Sequence, residues 1–122
     1  MSNEAAQIAA YVAAVEAFNG GDVTSFGELT SADCTFLAND QVVGRGSAEI
    51  TKALALGRTN GWRTHNLISI ASNGQFVATV FRNEYTDAPP NNGAGIARFD
   101  DDGKMCEMRA MGERVSAVLP NS

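Results

Sequence analysis

The chain has 122 residues, with nine basic and fourteen acidic side chains and a formal net charge of −5. That length makes one domain (residues 1–122) rather than two, and a domain of this size buries roughly two-thirds of its unfolded surface, so no disulfide or metal staple is required. The acidic balance, with no basic cluster to offset it, excludes nucleic acid and anionic membrane surfaces as partners.

The opening residues MSNEAAQ carry no basic run followed by an apolar one, so no secretory leader is expected. No apolar stretch is long enough to span a bilayer. Ile8, Tyr11, Val12, Val15 and Phe18 recur at helical spacing and predict a helix from Glu4 to Phe18, which Asn19-Gly20-Gly21 stops. A short helix follows from Val23 to Leu29, with Phe26 and Leu29 turned inward. Cys34 to Leu37 reads as a strand, Asn39-Asp40 as a tight turn, and Gln41 to Val43 as the returning strand. Ser47 is placed to N-cap a third helix, Ala48 to Leu56, and Glu49 in its first turn suits the helix dipole. From Asn60-Gly61 onward the chain reads as sheet, with strands Trp62 to Ser72, Gln75 to Thr86, Ala94 to Phe99 and Met105 to Glu113. Asn73-Gly74, the turn APPNNG (Ala88 to Gly93) and Asp102-Gly103 separate them. The expected fold class is α+β: a cone of three helices packed on a strongly curved antiparallel sheet that forms a closed wall. Cys34 and Cys106 sit far apart in apolar strand contexts and read as two buried thiols of a reducing cytoplasm, with a disulfide or a reactive thiol as the alternative.

Three segments, AFNGGDVTSFGELTSADCTF, GRGSAEI and ARFDDDGKMCEMRAM, follow one another in an order and spacing that resemble a nuclear transport factor 2-like domain of the SnoaL-like, ketosteroid isomerase-like branch. The resemblance covers Ala6 to about Val115. It implies the cystatin-like cone, a small-molecule pocket inside it and cofactor-independent chemistry. The fold hosts isomerases, cyclases, epoxide hydrolases, dehydratases and non-catalytic binders, so it does not choose among them. Ketosteroid isomerase chemistry uses an Asp base with a Tyr and a protonated Asp as oxyanion hole. Aligned on Asn19-Gly20-Gly21-Asp22 and on Arg98-Phe99, those three groups fall on Ala38, Ala14 and Gly95. The usual isomerase mechanism therefore lacks all its parts. Arg82-Asn83-Glu84 faintly resembles the Arg-x-Asp of limonene epoxide hydrolases, but strand parity turns Arg82 outward.

With the alignment as anchor, alternation puts Val77, Thr79, Phe81, Asn83 and Tyr85 inside, then Gly95, Ala97 and Phe99, then Cys106, Met108, Ala110 and Gly112. Every charge of these strands falls outside. Phe18, Phe36, Trp62, Phe81, Phe99 and Met108 are expected to line an apolar cavity, interrupted by Tyr11, His65, Asn83 and Tyr85. His65, the only histidine, is the expected general base or acid; the competing reading is a structural or surface histidine. Tyr11 lies one turn before Ala14 and would donate in place of the missing Tyr, or be a core tyrosine with its hydroxyl at the rim. Asn83 and Tyr85 would polarise a ligand oxygen. Asp40 is a reserve carboxylate at the mouth, or simply a hairpin-turn residue. No His, Cys, Asp or Glu grouping has metal-ligand spacing and no glycine-rich phosphate loop opens a helix, so no metal or cofactor is expected.

Two functional classes follow. In the first, His65 moves a proton on a small apolar metabolite, as an isomerase, cyclase, dehydratase or hydrolase would. The second is non-catalytic: the same cavity binds without turnover as a ligand-binding module, or the fold serves as a dimeric accessory domain with a filled core. A homodimer through the outer sheet face, around Val80, Ile96 and Met111, is expected, with a merely solvated face as the alternative.

Overall fold

A computed structural model describes residues 2–71 and 75–112. Helix α1 (Ser2–Asn19) is rich in alanine, the best helix former, and carries Tyr11, Ala14 and Phe18 along one face. It ends in a Schellman motif. Gly21 takes φ 81°, Gly21 N donates to Phe18 O at 3.0 Å, and Asp22 N donates to Ala17 O at 2.8 Å. Asp22 then caps α2 (Val23–Glu28), its carboxylate accepting from Ser25 N at 3.0 Å.

The next unit is the hairpin β1 (Thr30–Ala38) and β2 (Gln41–Arg45). Asn39 and Asp40 turn it at φ 50° and 66°, the left-handed pair that a two-residue hairpin loop demands. Helix α3 (Ser47–Thr59) starts differently from expectation. Gly46, at φ 90°, is the N-cap and supplies no side-chain bond. Ser47 is already helical, and its hydroxyl donates to Gly27 O at 3.2 Å, tying α3 to the end of α2. Glu49 accepts instead from Arg45 N at 2.9 Å. A second Schellman motif closes α3, with Gly61 N donating to Arg58 O and Trp62 N to Gly57 O, both at 3.0 Å. This turn delivers Trp62 straight into the core, where it is 6% exposed.

Strands β3 (Arg63–Ala71), β4 (Phe76–Glu84), β5 (Asn91–Phe99) and β6 (Met105–Gly112) form an antiparallel meander. The sheet order is β2-β1-β6-β5-β4-β3. The sheet is mixed, because β1 runs parallel to β6, and it stays open, with β2 and β3 at its edges. The cystatin-like α+β cone thus holds, with one parallel seam and without a closed wall. β5 begins earlier than expected: Asn91, Asn92 and Gly93 already pair with Asn83, Arg82 and Phe81, so the turn is confined to residues before Asn91. The expected Asn73-Gly74 turn, Ser72, Glu113 and Val115 lie outside the described residues.

Bulges bend the sheet. Between β3 and β4 the extra residue is Leu67; between β5 and β6 it is Cys106, because Arg98 faces Glu107 while Phe99 faces Met105. This second bulge corrects the parity of β6. Met105 is fully buried and Cys106 only half-buried, its thiol bonded to Arg98 O at 3.5 Å. The core lies between α1, α3 and the inner sheet face, around Phe18, Phe36, Trp62, Val77, Phe81 and Phe99.

Candidate functional site

The inner face of the sheet and the stripe of α1 line a cavity of about 90 Å³ that is partly open to solvent. Tyr11, Ala14 and Phe18 wall it from α1, Leu54 from α3, and Phe81, Gly95, Ala97, Met108 and Ala110 from the meander. Phe36 and Trp62 complete it. Ile96 and Arg109 border it from strand positions whose side chains are exposed. The wall is apolar apart from Tyr11, Thr64 and Arg109 at its border, and among the described residues no carboxylate, imidazole or thiol faces it.

Tyr11 is therefore the chemical group of the cavity. Burial pushes its hydroxyl up to about 12, with a hydrogen bond to Thr79 pulling the other way. At neutral pH it is a protonated donor and never a base.

Trp62 is held on three sides. Its ring meets Phe18 edge-on at 4.9 Å. A Cβ at Gly57 would come 2.5 Å from Trp62 Cε3, so only glycine leaves the indole its place. The indole N–H donates to Asn83 Oδ1 at 3.2 Å. The start of β3 is clamped to α1 by a two-way bond: Asn19 Nδ2 donates to Thr64 O at 2.6 Å and Thr64 N to Asn19 Oδ1 at 3.0 Å. That clamp aims Thr64 at the cavity.

The same parity turns His65 away. It stands opposite Arg82 on the outer face, half exposed, with Nε2 2.8 Å from Glu84 Oε1. Asp40 sits exposed in the β1–β2 turn. The structure therefore gathers Tyr11, Phe18, Phe36, Trp62, Phe81 and Met108 at the cavity and leaves His65 and Asp40 apart from it. Phe99 is in the core, but it borders a different, mostly polar recess of about 310 Å³ beside Gln7, Gln75 and Asp100. That recess is walled largely by turn residues on the surface. The apolar cavity is the better candidate in spite of its smaller volume, because the inner sheet face and α1 line it rather than surface turns.

Asn83 is fully buried but stands behind Trp62 rather than in the cavity wall, and its Nδ2 donates to Asn91 Oδ1 at 3.2 Å. Tyr85 donates to the same Oδ1 at 3.2 Å. Sequence reasoning passed over Leu54, Thr64 and Met105 as lining residues. Leu54 could have been found from helical spacing to Ile50, and Thr64 from its two-residue offset to Trp62. Nothing in the sequence marked the bulge that brings Met105 in.

No metal-holding grouping of His, Cys, Asp and Glu occurs among the described residues, and no described helix is long and apolar enough to cross a membrane. Burial raises the Cys34 thiol to about 12, with Cys106, Asp33 and Glu107 nearby adding to the effect, so it is inert as a nucleophile at neutral pH.

The fold is shared with solved structures. An epoxide hydrolase/cyclase-like enzyme, SalBIII, of pyran ring formation in the polyether salinomycin is 20% identical, with a TM-score of 0.82 over 93% of this chain and 95% of that one. A steroid delta-isomerase from Pseudomonas aeruginosa is 20% identical, with a TM-score of 0.73 over 97% and 85%. A putative polyketide cyclase from Xanthomonas campestris pv. campestris is 16% identical, with a TM-score of 0.75 over 95% and 96%. At these identities the likeness establishes the fold. No curated protein matches the chain. The SnoaL-like domain family matches residues 10–108, and with that match over most of its length the chain belongs to the SnoaL-like family.

Proposed function

We propose that this domain binds a small, largely apolar molecule in the cavity and holds one oxygen of it at the Tyr11 hydroxyl. The observation that supports this reading is a protonated, buried phenol in an otherwise apolar wall. A general base is absent from that wall among the described residues, and His65 is spent on Glu84 outside it. Binding thus has better support than acid–base turnover by His65. The size also speaks to the ligand. An apolar cavity of about 150 Å³ takes benzene, so one of about 90 Å³ that is partly open to solvent takes at most a single small ring.

A second reading keeps an enzyme. A hydroxyl that stays protonated can stabilise a developing oxyanion in an isomerase- or cyclase-type step without itself giving up its proton. The likeness to a polyketide cyclase and to SalBIII favours retaining it. The two thiols, neither in a disulfide, fit a cytoplasmic setting.

The experiment uses the single tryptophan, Trp62, as reporter of its own cavity. Cyclopentanone and cyclopentane are titrated while its emission is followed. Saturable changes with both, tighter for the ketone, support the reading. No saturable change with either probe, on folded protein, overturns it. Conversion of a ketone added in excess would move the conclusion to the enzyme.

A further inference from the structure

Behind the cavity wall lies a chain of polar side chains whose hydrogen bonds run in one direction. An indole N–H can only donate, so Asn83 must turn Oδ1 toward Trp62. Its Nδ2 then faces Asn91 Oδ1, at 3.2 Å. The Tyr85 hydroxyl donates to that same oxygen. Both donors converge on one atom and fix the orientation of the Asn91 amide. The chain therefore ends on a donor, Asn91 Nδ2, which is buried and meets no protein acceptor among the described residues. A buried amide donor left that way is costly unless something supplies an acceptor.

Phe81 lines the cavity and adjoins this cluster along β4 and β5. It is the inward residue next to Asn83 on β4, and its ring lies across two glycines of β5. A Cβ at Gly93 would come 2.6 Å from Phe81 Cε1, and one at Gly95 3.2 Å from Cε2. Gly93 is the inward neighbour of Asn91. The ring thus occupies the space of two missing side chains, between a cavity with room for a single small ring and a buried polar end.

We infer that the Asn83–Asn91–Tyr85 cluster is the second compartment of the same ligand site, where Asn91 reads a hydrogen-bond-accepting oxygen such as a ketone or ether, and that Phe81 is the partition setting how long a ligand the site takes. The inference rests on the reading that the cavity binds a small apolar molecule. It adds the ligand's polarity at the far end: an acceptor is matched there and a hydroxyl or amine donor is not. It also names a residue that sets length.

The test compares 1-tetralone with tetralin, the same bicycle without the carbonyl, on wild type, Phe81→Ala and Phe81→Ala/Asn91→Asp. Asp keeps the oxygen that Asn83 and Tyr85 need and removes the donor. Affinity is read from Trp62 emission, and the bound ketone's C=O stretch by isotope-edited infrared spectroscopy. The expected result is at least tenfold tighter binding of 1-tetralone by Phe81→Ala than by wild type, a preference over tetralin, and a lowered C=O frequency. In the double variant the frequency returns to its value in apolar solvent and the preference goes. If Phe81→Ala takes both probes equally with the stretch unshifted, the compartment is not part of the site. A cluster that holds a water instead gives that same result. Cyclopentanone on wild type separates the two failures: its binding preserves the cavity reading when this inference falls. Phe81→Leu serves as the second variant if Phe81→Ala loses its fold by circular dichroism.

Discussion

Tyr11 and His65 show how facing, more than residue type, decides chemistry. Both are polar rings near the same helix–sheet boundary, yet one is largely buried against the core and the other is paired with Glu84 in solvent. Replacing Tyr11 by Phe removes one neutral hydrogen bond, worth about 0.5–1.5 kcal/mol. Cyclopentanone binding is therefore expected to weaken roughly threefold to tenfold, with cyclopentane unaffected, as read by Trp62 emission. His65→Ala is expected to leave both affinities unchanged and to alter the urea midpoint by no more than an exposed ion pair allows, about 0–1 kcal/mol. Loss of ketone binding in His65→Ala would restore the imidazole to the site. The buried thiol and phenol also set an alkaline limit. Cys34 moves from 9.0 and Tyr11 from 10.0, each to about 12. Both values rise on folding, so above pH 9 the unfolded chain gives up these protons first, and stability falls as pH rises through that window. Below pH 9 neither contributes. Urea midpoints measured from pH 7 to pH 11 should fall first through Cys34 and then, above pH 10, through Tyr11. Cys34→Ala should shrink the first step to what Cys106, whose thiol burial also raises, contributes.

The glycines at element ends do opposite things, and Gly57 decides a sign. Gly→Ala inside a helix normally stabilises by about 0.5–1 kcal/mol. At Gly57 the new Cβ would press on Trp62, and overpacking costs about 1–3 kcal/mol. Gly57→Ala is expected to destabilise by about 1–2 kcal/mol in urea denaturation and to shift Trp62 emission. A stabilised variant would show that the indole moves freely. Most elements were legible because their stop signals are local: Gly20-Gly21 and Asn60-Gly61 end helices, and Asn39-Asp40 and Asp102-Gly103 turn strands. The inner and outer faces of β4 and β5 were also legible, since period-two alternation runs unbroken through Phe76–Glu84 and Asn91–Phe99. One feature was not, and another was legible but left open. The bulge at Cys106 has no local mark and flips one residue of β6. The facing of His65 was open to a check within the sequence itself: Trp62 and His65 are three apart on an extended run, so both cannot face inward. Asn83 was placed against a ligand oxygen, yet its partners are Trp62 and Asn91, 21 and 8 residues away in the chain.

At the scale of the molecule the outer sheet face is the largest unexplained surface. Ile68, Val80, Ala94 and Met111 stand opposite one another across four strands, and Ile68 and Met111 are more than half exposed. His65 and Arg82 flank this row on one side, and Glu107, bonded to Arg98 and Arg109, on the other. An apolar stripe between charges of both signs fits a two-fold copy of itself. We propose the pairing of two chains through this face; sedimentation equilibrium should show a dimer at micromolar concentration, and Met111→Lys should shift it to monomer. A monomeric wild type at that concentration would leave the face solvated.

The parallel seam between β1 and β6 has a kinetic consequence. Nearly every other strand contact joins neighbours in the chain, but Thr35 pairs with Glu107 and Ala38 with Ala110. Asn39 fastens the same seam, accepting from Gly112 N and donating to Gly112 O, both at 3.0 Å. Long-range pairing must close a large loop before it is rewarded, so it slows folding. The meander can assemble early and the helix-and-hairpin half must then find its edge. Asn39→Ala is therefore expected to speed unfolding and leave the refolding rate nearly unchanged in stopped-flow chevrons, while Ile96→Ala, inside the meander, slows refolding. The reverse pattern would put the seam in the nucleus and make β1 the template on which the meander grows.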